Sequence, residues 1–457
     1  MIIRLGRTID YRIRINKYKN NLKEYDFLLK ASNTLAKQGV VVDTGVVEYV
    51  LCPLLFSFTV WVLRKAEFDG LKRLYFLARD GYPVYRMAKK LSQIYAPDIE
   101  CKYFFCSRYS LRVPMYSENI EEALNHVCRG GIDVTFRKIM MRSGFSTSTL
   151  REMEMEFPKT DFDEIIPYSV LKQTRSMLEK SQVYLEALST NSGEKWKALK
   201  AYFEQEEMIS SGEIGIVDSG WTGTTQKSIC DILSRCGCNN KIHGYYFGLF
   251  DHPDNCKGSN YSSFYFDILS RLPNKVMFSN CLFETIFSAE HGTTCGYEVA
   301  ENVKPILEQY SKNEKRTHIM RQFERYGAII SRHISSKKPM EKKDFVCPKG
   351  ICSSMRTFMW NPTASEAEFF GTMMFSDDLL DQTTKEIAPV LSEASLRENH
   401  LFNRIKHVYG FSKKQIHESA WFEGSAIRSG KHSFRHKISN SAYKSLSYLK
   451  KGISRKV

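Results

Sequence analysis

The chain has 457 residues, a hydrophobic content of 42% and a formal net charge of +15. This length allows two or three domains with a large core, and the hydrophobic content excludes wholesale disorder. The positive charge indicates that the protein binds anionic partners, namely nucleic acid, an acidic membrane surface or phosphorylated substrates. The twelve cysteines are scattered and include no Cys-x-x-Cys pair. We therefore predict neither a zinc site nor a disulfide framework, and we expect a reducing cytosol.

Two segments in the first part of the chain bear on targeting. Residues 1–23 alternate apolar and basic side chains and lack the continuous apolar run of a signal peptide. Residues 46–63 form the most hydrophobic stretch, but Glu48 and Pro53 interrupt it. We predict a buried core helix there rather than a membrane span. The protein is expected to be soluble or peripheral to a membrane.

A strand, loop, helix and strand follow one another from residue 74. The apolar run at 74–77 leads into the polar turn Ala78-Arg79-Asp80-Gly81, then into an apolar helical stripe and a second apolar run at 103–106. The stripe consists of Val84, Met87, Ala88, Leu91 and Tyr95. This order is typical of the βαβ unit of a parallel sheet.

The second such unit begins with the apolar run at 214–217, which ends at Asp218. A loop of small and hydroxylated residues is predicted next, reading Ser219, Gly220, Trp221, Thr222, Gly223, Thr224 and Thr225. After it come a helix that stops at Gly237 and a further strand at 243–248. This arrangement points backbone N–H groups and a helix dipole at one place, which is typical of phosphate binding. Asp218 is placed to bind sugar hydroxyls or a magnesium ion.

Changes of pattern predict an α/β fold in five segments. Long amphipathic helices at 170–188 and 194–208 interrupt the two units and indicate a helical insertion. The segments are a basic N-terminal segment (1–40), the first half of the α/β core (41–116), the helical insertion (117–211), the second half of the core (212–303) and a helical, basic C-terminal region (304–457). Beyond residue 401 basic and aromatic side chains interleave, as on an anionic membrane, on single-stranded nucleic acid or on a solvated helical face.

The residues from Asp218 onward resemble the loop by which phosphoribosyltransferases bind phosphoribosyl pyrophosphate (PRPP), with an acid, a short spacer, Thr-Gly-x-Thr and a helix. The resemblance implies that Asp218 binds the ribose and Mg²⁺. It also implies a 5-phosphate cradle formed by Thr222, Gly223, Thr224 and Thr225, after the spacer Ser219, Gly220 and Trp221. The family usually has two adjacent acids, whereas Val217 and Ser219 flank a single one here. Some ribose contacts and the general base are therefore expected outside this loop.

The turn at 78–81 resembles the pyrophosphate loop of the same family, which lies between the first strand and helix. The resemblance implies that Arg79 neutralises the leaving pyrophosphate and that Gly81 lets the backbone come close to it. Ser107, Arg108 and Arg112 follow the next strand and supply further substrate-binding groups.

A wider set of motifs resembles a module of bacterial surface-polysaccharide loci that is often fused to a haloacid-dehalogenase-type phosphatase. The set covers roughly residues 41–297 and comprises 76–82, Ser107-Arg108, 217–226 and Phe283-Glu284 through His291-Gly292. The chain has no Asp-x-Asp-x-Thr motif, so we expect the phosphatase to be a separate partner.

Together these resemblances imply a phosphoribosyltransferase-like core that moves ribose 5-phosphate from PRPP to a hydroxyl of an O-antigen or capsule intermediate that is lipid-linked. The reaction needs Mg²⁺ and cations on the departing pyrophosphate and a base for the acceptor hydroxyl. The catalytic candidates are Arg79, Asp80, Glu284 and His291, with Glu290 as a further candidate base. We expect a cytoplasmic protein, peripheral at the inner face of the cytoplasmic membrane through its basic C-terminus, with no nucleic-acid partner.

Two other classes of protein stay open, a non-catalytic glycan or phosphosugar-binding partner and a nucleic-acid-binding protein. Single residues have simpler interpretations too. Arg79 and Asp80 suit a local salt bridge, and His291 suits an ordinary loop. Glu284 suits the solvent face of a helix, and Trp221 suits either the core or a platform for a sugar ring.

Overall fold

The centre of the molecule is a five-stranded, all-parallel sheet with the order β2-β1-β3-β4-β5. The computed structural model describes residues 2–130, 134–168, 170–209, 212–253, 259–334, 348–376, 384–408, 419–430 and 432–454. The sheet strands are β1 Arg73–Leu77, β2 Glu100–Phe104, β3 Ile214–Trp221, β4 Ile242–Leu249 and β5 Asn260–Phe266. Two antiparallel pairs lie outside the sheet, β6 Thr294–Val299 with β7 Val303–Leu307 and β8 Met374–Phe375 with β9 Lys385–Glu386. The predicted α/β class with a parallel sheet is confirmed.

Helices surround the sheet. Up to the insertion they are α1 Ile2–Asn21, α2 Asp26–Ala36, a π-helical turn Val47–Leu51, α3 Cys52–Phe68, α4 Gly81–Tyr95, α5 Arg108–Arg112 and a 3-10 turn Val113–Met115. The insertion holds α6 Ile120–Val127, α7 Phe136–Arg142, α8 Thr147–Glu156, α9 Leu171–Lys180 and α10 Gln182–Gln205. The rest are α11 Thr224–Arg235, α12 Leu272–Val276, α13 Asn280–Phe287, α14 Glu314–Ile334, α15 Lys349–Trp360, α16 Ala364–Gly371, α17 Glu393–Glu398, α18 Leu401–Val408, α19 Phe422–Arg428 and α20 Ser433–Ser454.

The sheet has a hydrophobic core on each face because successive side chains of a strand point to opposite sides. In β1, Leu74 and Phe76 join a core built with α3, α4 and α14. Tyr75 and Leu77 join a second core with α10 and α11. A third core lies within the helical insertion. The sheet is therefore the middle layer of three and is covered by helices on both sides.

The most hydrophobic stretch lies inside the fold. Val47–Phe68 is, among the described residues, the one segment long and apolar enough to cross a membrane, and 89% of its most apolar window is buried. The ring of Phe58 packs against Phe247 and Phe264, each at 5.5 Å between centroids. The prediction of a buried core helix is confirmed. Burial raises the pKa of Glu48 in this segment to about 7.

Several predicted element boundaries differ from the structure, and in place of the helices predicted over 170–188 and 194–208 the insertion has α9 and a continuous α10. The helix predicted over 170–188 is interrupted at Ser181, whose Oγ accepts the Tyr184 N–H at 3.1 Å and caps α10. Serine is a favoured helix N-cap because its hydroxyl replaces a missing acceptor at the helix start. Strand β2 covers 100–104 rather than 103–106, because its register with β1 pairs Arg73 with Glu100 and Leu77 with Phe104.

Cysteine pairing departs from the sequence prediction at one position. Nine of the cysteines that the structure describes are free. Cys352, on α15, is disulfide-bonded. One bonded cysteine in this part of the chain is not a disulfide framework, and the cellular location stays a prediction.

Part of the basic C-terminal region is used inside the fold. Lys437 Nζ donates to Asn361 Oδ1 at 2.6 Å, and Lys444 Nζ lies 2.9 Å from Glu423 Oε1. Trp421 is fully buried. A solvated charged face therefore describes only some of these residues. Several residues of the predicted basic run lie outside the described residues, namely Phe411, Lys413, Lys414, Lys431, Arg455 and Lys456.

Candidate active site

The two predicted loops meet at the carboxyl edge of the sheet, between β1 and β3. The chain moves from β1 outward to β2 and then returns to place β3 on the other side of β1. The strand order therefore reverses between β1 and β3, and crevices at such switch points bind ligands in open α/β sheets. The turn after β1 and the loop after β3 both lie at this switch point, which we call the crevice.

Strand β3 is longer than predicted. Asp218, Ser219, Gly220 and Trp221 belong to the strand, so the turn is confined to Thr222 and Gly223. The predicted loop is therefore wrong for its first three residues, Ser219, Gly220 and Trp221. Gly220 makes the pairing with β4 possible, because its φ is 105° and a Cβ there would lie 2.6 Å from the Gly248 carbonyl oxygen.

Three carboxylates converge on the crevice, and we call Asp80, Asp218 and Glu284 the carboxylate cluster. Ser219 Oγ donates a hydrogen bond to Asp80 Oδ2 at 2.6 Å. Trp221 Nε1–H donates to Glu284 Oε1 at 2.6 Å. The charge of Asp80 acts on both other carboxylates. Two residues of β3 thus orient one carboxylate from the turn after β1 and one from α13.

The pKa values of the carboxylate cluster are all raised. Burial, and then the charge of Asp80, raise the pKa of Asp218 to about 7. The same two causes raise the pKa of Glu284 to about 8. Burial also raises the pKa of Asp80. Three neighbouring carboxylates that are partly buried resist ionising together at neutral pH, so the cluster favours bound protons or a cation.

Three guanidinium groups compensate the negative charge. The charges of Arg79, Arg108 and Arg316 all oppose the rise in the pKa of Asp80. Arg108 is exposed, and its charge acts on the other two carboxylates as well. Arg316 is buried, and its Nε–H donates to the Thr285 carbonyl oxygen at 3.2 Å. The site therefore contains cations that can face an anionic ligand.

Sequence reasoning missed Arg316, which comes from α14, far along the chain. A signal for it was present in the helical pattern. Arg316 lies on the buried face of α14, together with Ile319, Met320 and Phe323. A charged residue on the apolar face of a helix has a buried partner as a rule.

Ser107 and Gly81 have structural contacts that their predicted ligand roles did not include. Ser107 Oγ accepts the Ser110 N–H at 3.0 Å and donates to the Thr294 carbonyl oxygen at 2.6 Å, so it caps α5 and fixes β6. A Cβ on Gly81 would lie 3.0 Å from the carbonyl carbon of Phe76. Gly81 is therefore needed for close packing of α4 against the sheet.

His291 has both ring nitrogens engaged. Nδ1–H donates to the Gly292 carbonyl oxygen at 2.8 Å, so Nε2 accepts the Tyr103 hydroxyl at 2.7 Å. Burial lowers the pKa of His291. The ring lies 5.1 Å from that of Phe105. The neighbouring Ala289 N–H donates to the Arg79 carbonyl oxygen at 3.2 Å. This loop thus fixes the turn after β1, and the catalytic role of His291 stays a prediction.

Trp221 and Glu284 belong to the edge of the aromatic core. The indole lies 5.2 Å from Phe278 and 5.7 Å from Phe283. Trp221 has a φ of 70°, which is rare for a bulky residue and marks backbone strain next to a site. The solvent-face interpretation of Glu284 is wrong, because its carboxylate is bound by the indole. Glu290 is exposed and accepts the Thr317 hydroxyl.

The Gly/Thr loop leads into α11 as predicted. Gly223 has a φ of 59° and is the N-cap, and Thr224 and Thr225 form the start of the first turn. Thr222 is exposed, and its hydroxyl lies 3.4 Å from that of Thr224. The predicted buried face of the helix is confirmed at Ile229, Ile232 and Leu233. The free N–H groups of such a helix start suit a phosphate.

The carboxylates suit a magnesium ion that brings other ligands with it. Among the residues that the structure describes, no group of three or more His, Cys, Asp or Glu side chains is arranged to hold a metal ion. Mg²⁺ commonly uses only one or two carboxylates and completes its shell with water and substrate phosphates. Asp218 fits that donor set, because it is an oxygen donor whose repulsion by Asp80 a cation would relieve.

Comparison with protein-family models finds no match to this chain, and comparison with curated proteins finds none either. The fold and the site define an α/β protein with an all-parallel sheet and an acidic crevice at its switch point. The charges of Arg79, Arg108 and Arg316 act on this crevice. The function is therefore argued from the side chains of that crevice.

Proposed function

We propose that the protein is a PRPP-dependent phosphoribosyltransferase. It transfers ribose 5-phosphate to a hydroxyl of a cell-surface glycan intermediate, of O-antigen or capsule type, and releases pyrophosphate. The observation that carries the proposal is the meeting of the carboxylate cluster, Arg79 and Arg108 with the start of α11 at one sheet edge. A sugar with phosphates at both ends matches this layout, with cations for one phosphate, a helix start for the other and carboxylates between them.

Each part of the donor has a matching group. The N–H groups and hydroxyls around Thr224 and Thr225 bind the 5-phosphate. Asp218 accepts hydrogen bonds from the ribose hydroxyls. Arg79 and Arg108 neutralise the pyrophosphate, because guanidinium groups bind phosphate oxygens in pairs. This assignment retains the phosphoribosyltransferase-like core implied by the sequence.

The transfer step forms a bond from the acceptor oxygen to the anomeric carbon as the bond to pyrophosphate breaks. The bonding electrons leave with pyrophosphate, the acceptor proton passes to a carboxylate, and the anomeric configuration inverts. Asp80 is the best base, because more cations act on it than on Glu284 and favour its ionised form. Glu284, with a pKa of about 8, keeps a proton at neutral pH and donates a hydrogen bond to the sugar. Mg²⁺, when bound, supplies charge neutralisation for the pyrophosphate.

The acceptor class and the later fate of the product rest on the resemblance to polysaccharide-locus modules. A fused phosphatase in those modules has a chemical reason, since the transferred ribose carries a 5-phosphate that must be removed. A separate phosphatase is the partner we propose here.

Replacing Asp218 tests the donor site. We expect Asp218→Ala to weaken PRPP binding in the presence of Mg²⁺ about 10- to 100-fold, because a hydrogen bond to a charged group contributes roughly 1.5–3 kcal/mol. Isothermal titration calorimetry measures the affinity. Asp98→Ala, at an exposed aspartate just after α4, is the matched control.

The activity itself is tested by mass spectrometry of lipid-linked and synthetic glycans incubated with the protein, PRPP and Mg²⁺. A phosphopentose adduct with release of pyrophosphate supports the transferase. PRPP binding without an adduct for any acceptor favours the non-catalytic phosphosugar-binding class. Unchanged PRPP binding by Asp218→Ala, together with no adduct, defeats the proposal. Salt-sensitive nucleic-acid binding without PRPP binding would instead favour the third class.

We also propose that α18 and α20 lie on an anionic membrane. Phe402 on α18 is 76% exposed, and Ile438 and Leu446 on α20 are 47% and 49% exposed. Arg435 and Lys406 are exposed on the same two packed helices. Exposed apolar residues among basic ones match the interface of a bilayer with acidic headgroups.

The membrane surface is connected to the site. Tyr448 of α20 stacks on Phe250 at 5.3 Å, and Phe250 lies 6.1 Å from Trp221. A lipid-linked acceptor held at α20 is therefore near the crevice. This supports an acceptor presented from the membrane.

Cosedimentation with vesicles containing phosphatidylglycerol tests this surface. We expect the double variant Ile438→Ser, Leu446→Ser to bind about 10-fold more weakly, because each substitution removes apolar area from the interface. The control is Leu269→Ser, Val299→Ser, which changes two residues that are 86% and 59% exposed elsewhere. Equal binding by the two double variants would contradict the assignment.

A further inference from the structure

A cluster of positive charge lies beside the candidate active site, where α5 packs against α11. We call it the Arg112 cluster, and its members are Arg108 and Arg112 on α5, Arg129 after α6 and Lys227 on α11. The charges of Arg108 and Arg129 act on Arg112. Those of Arg112, Arg129 and Lys227 act on His126, whose pKa burial and these charges lower to about 4. The four cations therefore share one region. Lys227 Nζ is already paired with Asp231 Oδ2 at 2.6 Å, so the three arginines are the groups that an outside anion would contact.

Arg112 is mostly buried without an acceptor. Its guanidinium donates no hydrogen bond and forms no ion pair in the part of the chain that the structure describes. The charge of Glu122 acts on it favourably, but burial and Arg108 oppose its charged form and lower its pKa. The side chain is partly exposed, so its guanidinium is left to water unless an anion binds it. An anion from outside the protein would supply the acceptor that the described residues do not.

The guanidinium of Arg112 is accessible to an anionic ligand. None of the nitrogens of Arg112 is among the fully enclosed, unpaired polar atoms of the described residues. Arg129 is exposed, and its carbonyl oxygen accepts Arg142 Nη1 at 2.6 Å, which fixes the backbone beneath its side chain. Arg108 is exposed as well, and its charge acts on Glu284 of the carboxylate cluster. The Arg112 cluster and the crevice are therefore neighbours.

We propose that the Arg112 cluster is a second phosphate-binding subsite, separate from the helix start at Thr224. Arginine suits this task because its planar fork pairs with phosphate oxygens. Its phosphate belongs either to the donor or to an acceptor that carries a diphosphate. That choice rests on the proposed transferase function, whereas the existence of the subsite does not.

Calorimetric titration of the full chain, without any transfer reaction, tests the subsite. The two probes are PRPP and farnesyl diphosphate. We expect Arg129→Ala and Arg112→Ala each to weaken one probe about 10-fold, whereas Arg151→Ala stays within twofold of wild type. Arg151 is the matched control because it is exposed on α8 and makes no hydrogen bond or ion pair with any described residue.

The outcomes separate the sources of the phosphate. Selective loss of farnesyl diphosphate binding assigns the subsite to the acceptor, and selective loss of PRPP binding assigns it to the donor. The proposal is overturned if both variants, folded by circular dichroism, bind both probes like Arg151→Ala, or if the wild-type protein binds neither probe. Arg129 is exposed, so its variant stays informative if Arg112→Ala does not fold. Adduct formation is a different readout, so a failure here is distinguishable from a failure of the transferase proposal.

Discussion

Asp80→Asn is expected to lower kcat for phosphoribosyl transfer about 100- to 10,000-fold, which is the usual contribution of a general base. The amide keeps the shape of the side chain and its contact with the Ser219 hydroxyl, which lies 2.6 Å from Asp80 Oδ2, but it accepts no proton. PRPP affinity is expected to change little, because Arg79 and Arg108 remain. Steady-state kinetics with saturating PRPP, together with calorimetry, measures both quantities.

Two further variants test whether a fall in kcat in Asp80→Asn reports the loss of a general base. Asp98→Asn makes the same chemical change at an exposed position and should retain full activity. Ser219→Ala removes a hydrogen bond that lowers the pKa of Asp80, so the rising limb of the pH–rate profile should move to higher pH. A large fall in PRPP affinity with unchanged kcat in Asp80→Asn would assign Asp80 to donor binding instead of proton transfer.

The second large effect concerns stability and pH. Glu284 has a pKa of about 8 in the folded protein against 4.5 for an ordinary glutamate. The folded state therefore binds this proton more tightly than the unfolded state, and the free energy of unfolding falls as pH rises from about 4.5 to about 8. Glu284→Gln removes this titration. Between pH 5 and pH 9, we expect the free energy of unfolding of the variant to fall by roughly 3 kcal/mol less than that of the wild-type protein.

Urea unfolding of the protein without ligands or Mg²⁺, at several pH values, measures this difference. Asp218 makes a contribution of the same sign, since its pKa is about 7, so Glu284→Gln should reduce the pH dependence without abolishing it. Glu298→Gln is the control, because Glu298 is exposed on β6. Parallel loss of stability in wild type and Glu284→Gln would show that Glu284 does not carry the proton.

Much of the sheet was predictable because its signals are local. The apolar run of β1, the turn after it and the helical stripe of α4 lie within a few residues of one another, and each matches its predicted place. The buried face of α11 was predictable for the same reason. Asp80 and Asp218 could be identified because each comes near the end of a predicted strand.

The rest depends on contacts between distant parts of the chain. The pairing of Gly220 with Gly248 extends β3 through residues that locally favour a turn. The structural role of Ser107 could not be predicted, because its hydrogen bond to the Thr294 carbonyl oxygen joins residues that are far apart in the sequence. The hydrogen bond from the Trp221 indole to Glu284 depends on the packing of α13, which comes from a distant part of the chain. Such tertiary contacts override local preference.

Arg316 also ties the site to a late part of the chain. Asp80 follows β1, whereas one of the arginines that offset its charge belongs to α14, which packs on α4. A chain that ended before α14 would lack that positive charge. If the proposed function holds, we expect such a truncated chain to bind PRPP more weakly than the full chain.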